Sequence, residues 1–129
     1  MSSGLLAREY IEELHKAYEK VLHYLCTQTD IALTHQQEHI TYLMKENVFG
    51  GKMFRGCTVL YVISIISSKL GTVPDLEMGS IVGICIEMIH ASFLIADDII
   101  DQSSTRRGNP CWYKREDVLL SYTIFLFTF

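Results

Sequence analysis

The sequence predicts an all-α fold, on the evidence of one apolar pattern that is present and another that is missing. Near the amino terminus, apolar side chains recur every three or four positions and charged residues fill the other face, which is the period of an amphipathic helix. These apolar residues are Tyr10, Ile11, Leu14, Ala17, Tyr18, Val21, Leu22 and Leu25. No stretch shows the apolar and polar alternation of a half-buried strand. The chain is therefore expected to consist of packed helices.

Local signals divide the chain into four helices and part of a fifth. Ser3 can cap the first helix, and a second, less periodic helix is expected over residues 30–44. Gly50 and Gly51 break the helical pattern. The segment from Cys57 to Leu70 is apolar on nearly all sides, which predicts a buried helix.

The fourth predicted helix leads to an acidic cluster. Gly71 ends the preceding helix, and Pro74 and Asp75 open this one. Gly79 and Gly83 lie on it, and their missing side chains allow a neighbour to pack closely. The part of a fifth helix is expected in the apolar residues 118–129.

Composition restricts the class of protein. The 129 residues are 49% hydrophobic and 20% charged with a net charge of −4, which is typical of one globular soluble domain or part of one. An acidic balance argues against a nucleic-acid surface. No uninterrupted apolar run reaches the ~18 residues of a membrane span. The cysteines lack Cys-x-x-Cys spacing and follow no signal peptide, so reduced thiols in a cytoplasmic protein are expected. They are Cys26, Cys57, Cys85 and Cys111.

The stretch from His90 to Arg107 carries the main functional signal. Asp97 and Asp101 lie four residues apart, so on a helix their carboxylates stand about one turn apart and repel each other. A hard divalent cation such as Mg2+ suits this place, because it prefers carboxylate oxygens and keeps positions for water and phosphate oxygens. His90 and Phe93 share the same stripe. The alternatives are a solvated helix end for the acids and a hydrogen-bonded core position for His90.

A basic segment is the second candidate. Lys52 and Arg55 fall three apart on one face at the start of a predicted helix, where backbone N–H groups and the helix dipole favour an anion. Both side chains are expected to reach one phosphate, Arg55 with its two-pronged guanidinium. The alternative for Lys52 and Arg55 is a solvated basic turn. For Arg106 and Arg107 the alternative is an ordinary pair of surface residues.

Two blocks of sequence resemble the trans-isoprenyl diphosphate synthases, and among these most closely the eukaryotic farnesyl diphosphate synthases. One is Asp-Asp-Ile-Ile-Asp at 97–101, followed by Gln-Ser-Ser-Thr-Arg-Arg-Gly and Cys-Trp-Tyr at 111–113. The other is Gly-Gly-Lys-Met-Phe-Arg-Gly at 50–56. The resemblance implies that residues 1–129 are the amino-terminal part of one polyprenyl synthase domain. The implied architecture is an isoprenoid-synthase-type helical bundle, here incomplete.

The resemblance also implies a reaction and residue roles. Such enzymes use Mg2+ to ionise an allylic diphosphate, dimethylallyl or geranyl, and add isopentenyl diphosphate to the resulting cation. Asp97 and Asp101 match the magnesium ligands, and Asp98 supports the cluster. Arg106 matches the residue that contacts the allylic diphosphate. Isopentenyl diphosphate contacts are implied for Lys52, Arg55, His90 and Arg107, although many eukaryotic relatives have Gln at the position of His90.

Product length is expected to depend on the same helix. Phe93 stands about 6 Å along the helix from Asp97 and would form the floor of the pocket for the growing chain. Many animal farnesyl synthases also have an aromatic residue at the position of Ser92. The smaller serine is expected to leave room for a C20 product, so either farnesyl or geranylgeranyl diphosphate is the expected product.

The chain also departs from the family pattern. Relatives carry a second aspartate-rich motif, whereas here only Glu116 and Asp117 follow Asp101 as acids. Residues 1–129 alone are therefore expected not to catalyse prenyl transfer. Because these synthases are typically homodimers, one alternative is a non-catalytic truncated chain that pairs with a full-length synthase subunit.

A third hypothesis comes from the second predicted helix. The string His35-Gln-Gln-Glu38-His39 fits the pattern of inverted zinc peptidases, in which two histidines bind zinc and the glutamate is the base. No third ligand is apparent in the sequence. Histidines on a solvated helix face are the alternative interpretation.

Overall fold

The computed structural model of the protein describes residues 3–28, 34–49 and 51–115. Nearly all of this part is helical, and the all-α prediction is confirmed. The helices are α1 (Ser3–Gln28), α2 (Thr34–Leu43), a π-helical turn (Met44–Val48), α3 (Phe54–Leu70), α4 (Leu76–Ile100) and the short α5 (Trp112–Arg115). One antiparallel pair of two-residue strands, β1 (Thr105–Arg106) and β2 (Asn109–Pro110), lies between α4 and α5. The chain divides into two compact units, one up to Glu87 and one from Met88 onward.

The boundary between α3 and α4 follows the predicted signals. Gly71 adopts the left-handed conformation with φ of +67°, and the N–H of Thr72 donates to the carbonyl oxygen of Ser67 at 2.9 Å. This is the geometry with which a C-terminal glycine satisfies the last carbonyls of a helix. Asp75 caps α4, because its Oδ1 accepts the N–H of Met78 at 3.0 Å.

The second predicted helix differs from expectation at its carboxyl end. α2 ends at Leu43, and the chain continues through one π-helical turn that closes when the N–H of Phe49 donates to the carbonyl oxygen of Met44 at 3.1 Å. The weak apolar period of this segment contains no signal for the wider turn. The fifth helix expected over residues 118–129 lies outside the described residues. The short α5 lies before it and was not predicted.

Glycines bring α3 and α4 together in the first unit, as predicted. A Cβ added to Gly83 would lie 3.2 Å from the Cα of Gly56 and 2.9 Å from Cδ2 of Leu14. A Cβ added to Gly79 would lie 2.6 Å from Cδ1 of Ile63. At Gly79 the neighbour is the far end of a flexible side chain, which can move, whereas at Gly83 the new Cβ would also press on the backbone of Gly56. The close approach of the two helices therefore depends most on Gly83.

α3 is not the fully buried helix that its composition predicted. Its buried residues are Gly56 and Leu60, and they lie where α1 and α4 pack on it. Several large apolar side chains on its surface are exposed: Phe54, Tyr61, Val62, Ile65, Ile66 and Leu70. A helix that is apolar on all sides can be buried on any of them. The elements that pack against the helix decide which side is buried.

α4 is the one helix of the described residues that is long and apolar enough to cross a membrane. The sequence prediction considered only uninterrupted apolar runs, and this helix is interrupted by acids such as Glu77 and Glu87, so the expectation of no membrane span is not confirmed. The finding is weak evidence for a span, since a core helix of a soluble protein meets the same criterion. Ser80, Ile84 and Glu87 on this helix are buried by the protein itself.

Candidate functional site

Asp97 and Asp101 lie one turn apart at the carboxyl end of α4. The helix ends at Ile100, but the N–H of Asp101 still donates to the carbonyl oxygen of Asp97 at 2.9 Å. Both residues are exposed, with 63% of the Asp97 side chain accessible. Two exposed carboxylates at this spacing fit Mg2+, which is bound in proteins through one or two carboxylates together with waters and substrate phosphates. Among the described residues, no group of three His, Cys, Asp or Glu could hold a metal ion.

Asp98 has a different environment from the two acids beside it. Its side chain is 4% exposed and accepts two hydrogen bonds from one guanidinium, from Nε of Arg106 at 2.7 Å and from Nη2 at 2.8 Å. Nη2 of Arg106 also lies 3.7 Å from Oδ2 of Asp97. The hydrogen bond to Asp98 raises the pKa of Arg106 above its usual value. Asp98 therefore orients Arg106.

A tight hairpin carries the two arginines. β1 and β2 pair Thr105 with Pro110 and Arg106 with Asn109. The two residues between the strands have positive φ, 54° at Arg107 and 79° at Gly108, which is the two-residue turn that fits the twist of a hairpin. The side chain of Arg107 is exposed at this turn. Sequence analysis missed the hairpin, for which Gly108 was the available signal.

Hydrogen bonds attach the hairpin to the end of α4. The N–H of Ser103 donates to the carbonyl oxygen of Asp98 at 3.0 Å, and the N–H of Cys111 donates to that of Ser104 at 3.1 Å. The hydroxyl of Tyr113 donates to the carbonyl oxygen of Ser103 at 2.8 Å. Cys111 is buried, and this burial, together with the charge of Asp98, raises the pKa of its thiol. The hairpin therefore fixes the backbone of both arginines, and Asp98 also fixes the side chain of Arg106.

The two residues expected to set product length lie on different faces of α4. Phe93 is 57% exposed and precedes the exposed Asp97 by four residues, so the two share a face. Ser92 is buried, and its hydroxyl donates to the carbonyl oxygen of Met88 at 3.0 Å. The side chain of His90 is half-buried. Residues next to each other on a helix point about 100° apart, which explains the separation.

The basic segment belongs to the first unit and differs from its prediction. Lys52 and Arg55 are both exposed, but α3 begins at Phe54, so Lys52 precedes the helix. Between them Met53 is buried and left-handed, with φ of 51° and ψ of 31°. The prediction that Lys52 and Arg55 stand three apart on one helical face was wrong, because the left-handed residue changes the direction of the chain.

An acid of the protein itself occupies the start of α3. Gly56 is the third residue of α3, one of the first four whose N–H groups have no partner within a helix. Its N–H donates to Oε1 of Glu87 at 2.9 Å, and Glu87 is buried. The cap residue Met53 makes no side-chain hydrogen bond to the helix. The expectation that this helix start favours an external anion is therefore corrected at Gly56. Sequence analysis missed Glu87, for which an acid within the apolar part of α4 was the only signal.

The zinc hypothesis gains no support from the structure. Glu38 is exposed on α2, and the side chains of His35 and His39 lie outside the part of the chain that the structure describes. The four cysteines are free in the structure.

Comparisons with known proteins agree on one family. The polyprenyl synthetase family model matches residues 37–125. The farnesyl pyrophosphate synthase of Nezara viridula is 40% identical over 93 residues, which cover 71% of this chain and 23% of that protein. The farnesyl pyrophosphate synthase of Saccharomyces cerevisiae is 48% identical over 77 residues, covering 56% of this chain and 21% of that protein.

Solved structures give the same result. The farnesyl diphosphate synthase of T. brucei superposes with a TM-score of 0.81 and 28% identity, covering 92% of this chain and 36% of that chain. A structure of the same synthase complexed with homorisedronate also has a TM-score of 0.81. The chain thus spans 36% of these solved chains and 21–23% of the curated relatives.

Proposed function

Because the chain belongs to the polyprenyl synthetase family, we propose that it is the amino-terminal part of a prenyltransferase of the farnesyl diphosphate synthase type. The proposed reaction joins isopentenyl diphosphate to the carbon chain of an allylic diphosphate, dimethylallyl or geranyl, with release of the allylic diphosphate group and loss of one proton. The observation that carries the proposal is the exposed pair Asp97 and Asp101 beside an arginine, Arg106, that Asp98 holds in place. Such a site combines ligands for a divalent ion with a fixed cation for a phosphate.

We assign the allylic diphosphate to this acidic end of α4. Asp97 and Asp101 would hold Mg2+, which when bound neutralises charge on the departing diphosphate. A guanidinium has five N–H donors, and Asp98 accepts from two N–H-bearing nitrogens of Arg106. This contact orients the group and still leaves donors for a phosphate oxygen. The two hydrogen bonds also reduce the entropy that is lost on substrate binding, because they order the guanidinium of Arg106 before any ligand arrives.

We assign isopentenyl diphosphate to exposed cations by the family resemblance. Lys52 and Arg55 are exposed on either side of the left-handed Met53, and Arg107 is exposed at the turn of the hairpin. Long exposed cations can approach phosphate oxygens with charge-assisted hydrogen bonds. His90, which is half-buried, is the fourth proposed contact.

The test is a prenyl-transfer assay with labelled isopentenyl diphosphate, geranyl diphosphate and Mg2+, on the protein expressed from its complete reading frame. We expect Asp97→Ala and Asp101→Ala each to lower turnover by about 100-fold or more without a large change in Tm, because both residues are exposed. Glu77→Ala, an exposed acid on the same helix, is the matched control. Full turnover in both aspartate variants would refute the proposal.

We propose Phe93 as the residue that limits product length. The exposed ring shares a face with Asp97, and Phe93→Ala is expected to shift the product from farnesyl towards geranylgeranyl diphosphate, as chromatography of the dephosphorylated alcohols would show. The reverse test, Ser92→Phe, is less informative because Ser92 is buried and a phenyl group there overpacks the protein. An unchanged product in Phe93→Ala would remove this role from Phe93.

The exposed apolar side chains of α3, among them Tyr61, Ile66 and Leu70, favour a second candidate function. Apolar surface of this kind marks a site of protein contact when it is extensive, and a non-catalytic chain could use it to pair with an intact synthase subunit in the cytoplasm. Co-purification of the tagged 129-residue chain with an intact synthase would support this function. Normal prenyl transfer by the protein without a partner would exclude it.

A further inference from the structure

Glu87 is a buried acid that no part of the proposed reaction uses. It is 6% exposed, and its Oε1 accepts the N–H of Gly56 at 2.9 Å. A buried carboxylate is unfavourable unless hydrogen bonds and charge compensate it. Here the compensation comes from the first turn of α3, where an N–H without a helical partner and the positive end of the helix dipole both favour an anion. Glu87 on α4 thus acts as the cap of a different helix.

The segment that leads into α3 is held at both ends. At its start, the ring of Phe49 packs against two residues of α1, with centroid distances of 4.1 Å to His15 and 4.5 Å to Tyr18. At its end, Glu87 holds the N–H of Gly56. The proposed diphosphate contacts of the first unit lie between these two points of attachment.

The turn between them is strained and has no cap of its own. Met53 is left-handed, a conformation that is costly for an L residue other than glycine, and it gives α3 no side-chain hydrogen bond. We propose that Glu87 is a positioning residue, which fixes the first turn of α3 and so directs Lys52 and Arg55 towards the diphosphate. This inference rests on the proposed function, because that function assigns Lys52 and Arg55 to the diphosphate.

Two substitutions separate the hydrogen bond of Glu87 from its charge. Glu87→Gln keeps an oxygen that can accept the N–H of Gly56 but removes the charge. Glu87→Asp keeps the charge but withdraws the carboxylate by one methylene. The measurement is calorimetric titration of the purified 129-residue chain with inorganic pyrophosphate, without divalent cations and below the Tm of each variant. Lys52→Ala identifies binding at the basic segment, and Glu77→Asp, an exposed acid on the same helix, is the control for shortening a glutamate.

We expect Glu87→Asp to raise the Kd for pyrophosphate about tenfold, equivalent to about 1.4 kcal/mol, and Glu87→Gln to stay within about threefold of the parent chain. A merely structural role would lower Tm in Glu87→Asp and leave its Kd unchanged, and that result would overturn the inference. Weakening in Glu87→Gln with an unchanged Kd in Glu87→Asp would also overturn it, because the charge of Glu87 would then matter and not its hydrogen bond to Gly56. If the parent chain shows no Lys52-dependent binding, the assignment of the basic segment in the proposed function fails first.

Hydrogen exchange gives a second test that needs no variant. An N–H in the first turn of a helix ordinarily exchanges with solvent quickly, because it has no helical partner. The N–H of Gly56 is expected to be protected by the carboxylate of Glu87 to the same degree as the interior amides of α3. Exchange of Gly56 as fast as that of an exposed loop amide would overturn the inference even if Glu87→Asp failed to fold.

Discussion

Replacing Asp98 with alanine is expected to destabilise the second unit by releasing Arg106. The substitution removes charge-assisted hydrogen bonds of 2.7 and 2.8 Å, and bonds to charged groups contribute about 1.5–3 kcal/mol each. Asp98 is almost fully buried, but 35% of the Arg106 side chain is exposed, so water can replace part of what the guanidinium loses. We therefore expect the free energy of unfolding to fall by about 2–3 kcal/mol.

Urea unfolding followed by circular dichroism measures this loss. Asp97→Ala is the matched control, because it removes the neighbouring acid that lies 3.7 Å from the same guanidinium but is exposed. Its effect on the unfolding free energy should stay within about 0.5 kcal/mol. Asp98→Asn keeps the shape of the side chain and one acceptor oxygen, so its loss of unfolding free energy should lie between those of Asp98→Ala and Asp97→Ala. If Asp98→Ala were as stable as Asp97→Ala, the ion pair would not hold the hairpin.

Three further predictions follow from the packing and the thiols. Gly83→Ala should lower the unfolding free energy by about 1–3 kcal/mol, because the new Cβ meets the Cα of Gly56 at 3.2 Å. The control Ser68→Ala, at an exposed position of α3, should change the unfolding free energy by about 0.5 kcal/mol at most. Equal effects of the two substitutions in urea unfolding would contradict the close packing of α3 on α4 at Gly83. Burial raises the pKa of Cys111, so the folded chain keeps a proton that the unfolded chain has lost, and Tm should fall as the pH rises above about 8.5 towards the folded pKa. In Cys111→Ala, Tm should decline less over the same pH range. An identical decline of Tm in this variant would show that other groups cause the pH dependence. Iodoacetamide should label the exposed Cys85 well before the buried Cys111, as peptide mass spectrometry would show, and labelling at equal rates would argue against the burial of Cys111.

Features set by short-range geometry could be predicted from the sequence. The end of α3 at Gly71 and the start of α4 at Asp75 were predicted because a left-handed glycine and a capping carboxylate act on backbone groups within a few residues. The spacing of Asp97 and Asp101 was predictable for the same reason, since a helix brings residues four apart onto one face.

Features that depend on residues far apart in the chain needed the tertiary structure. Glu87 and Gly56 are separated by 31 residues, and no periodic pattern shows which helix start a buried acid will cap. The left-handed Met53, which places Lys52 outside α3, likewise depends on burial of its side chain.

The sequence by itself therefore determined the helical class, the boundary between α3 and α4, and the acidic motif with its family resemblance. Tertiary structure alone decided which acid is exposed and which is paired. Asp97 and Asp98 are identical in type and adjacent in the chain, yet one is exposed and the other holds Arg106. The physical reason is that a carboxylate acquires its role from the groups that surround it, through burial, charge and hydrogen bonding, and these are set only when the hairpin packs onto α4.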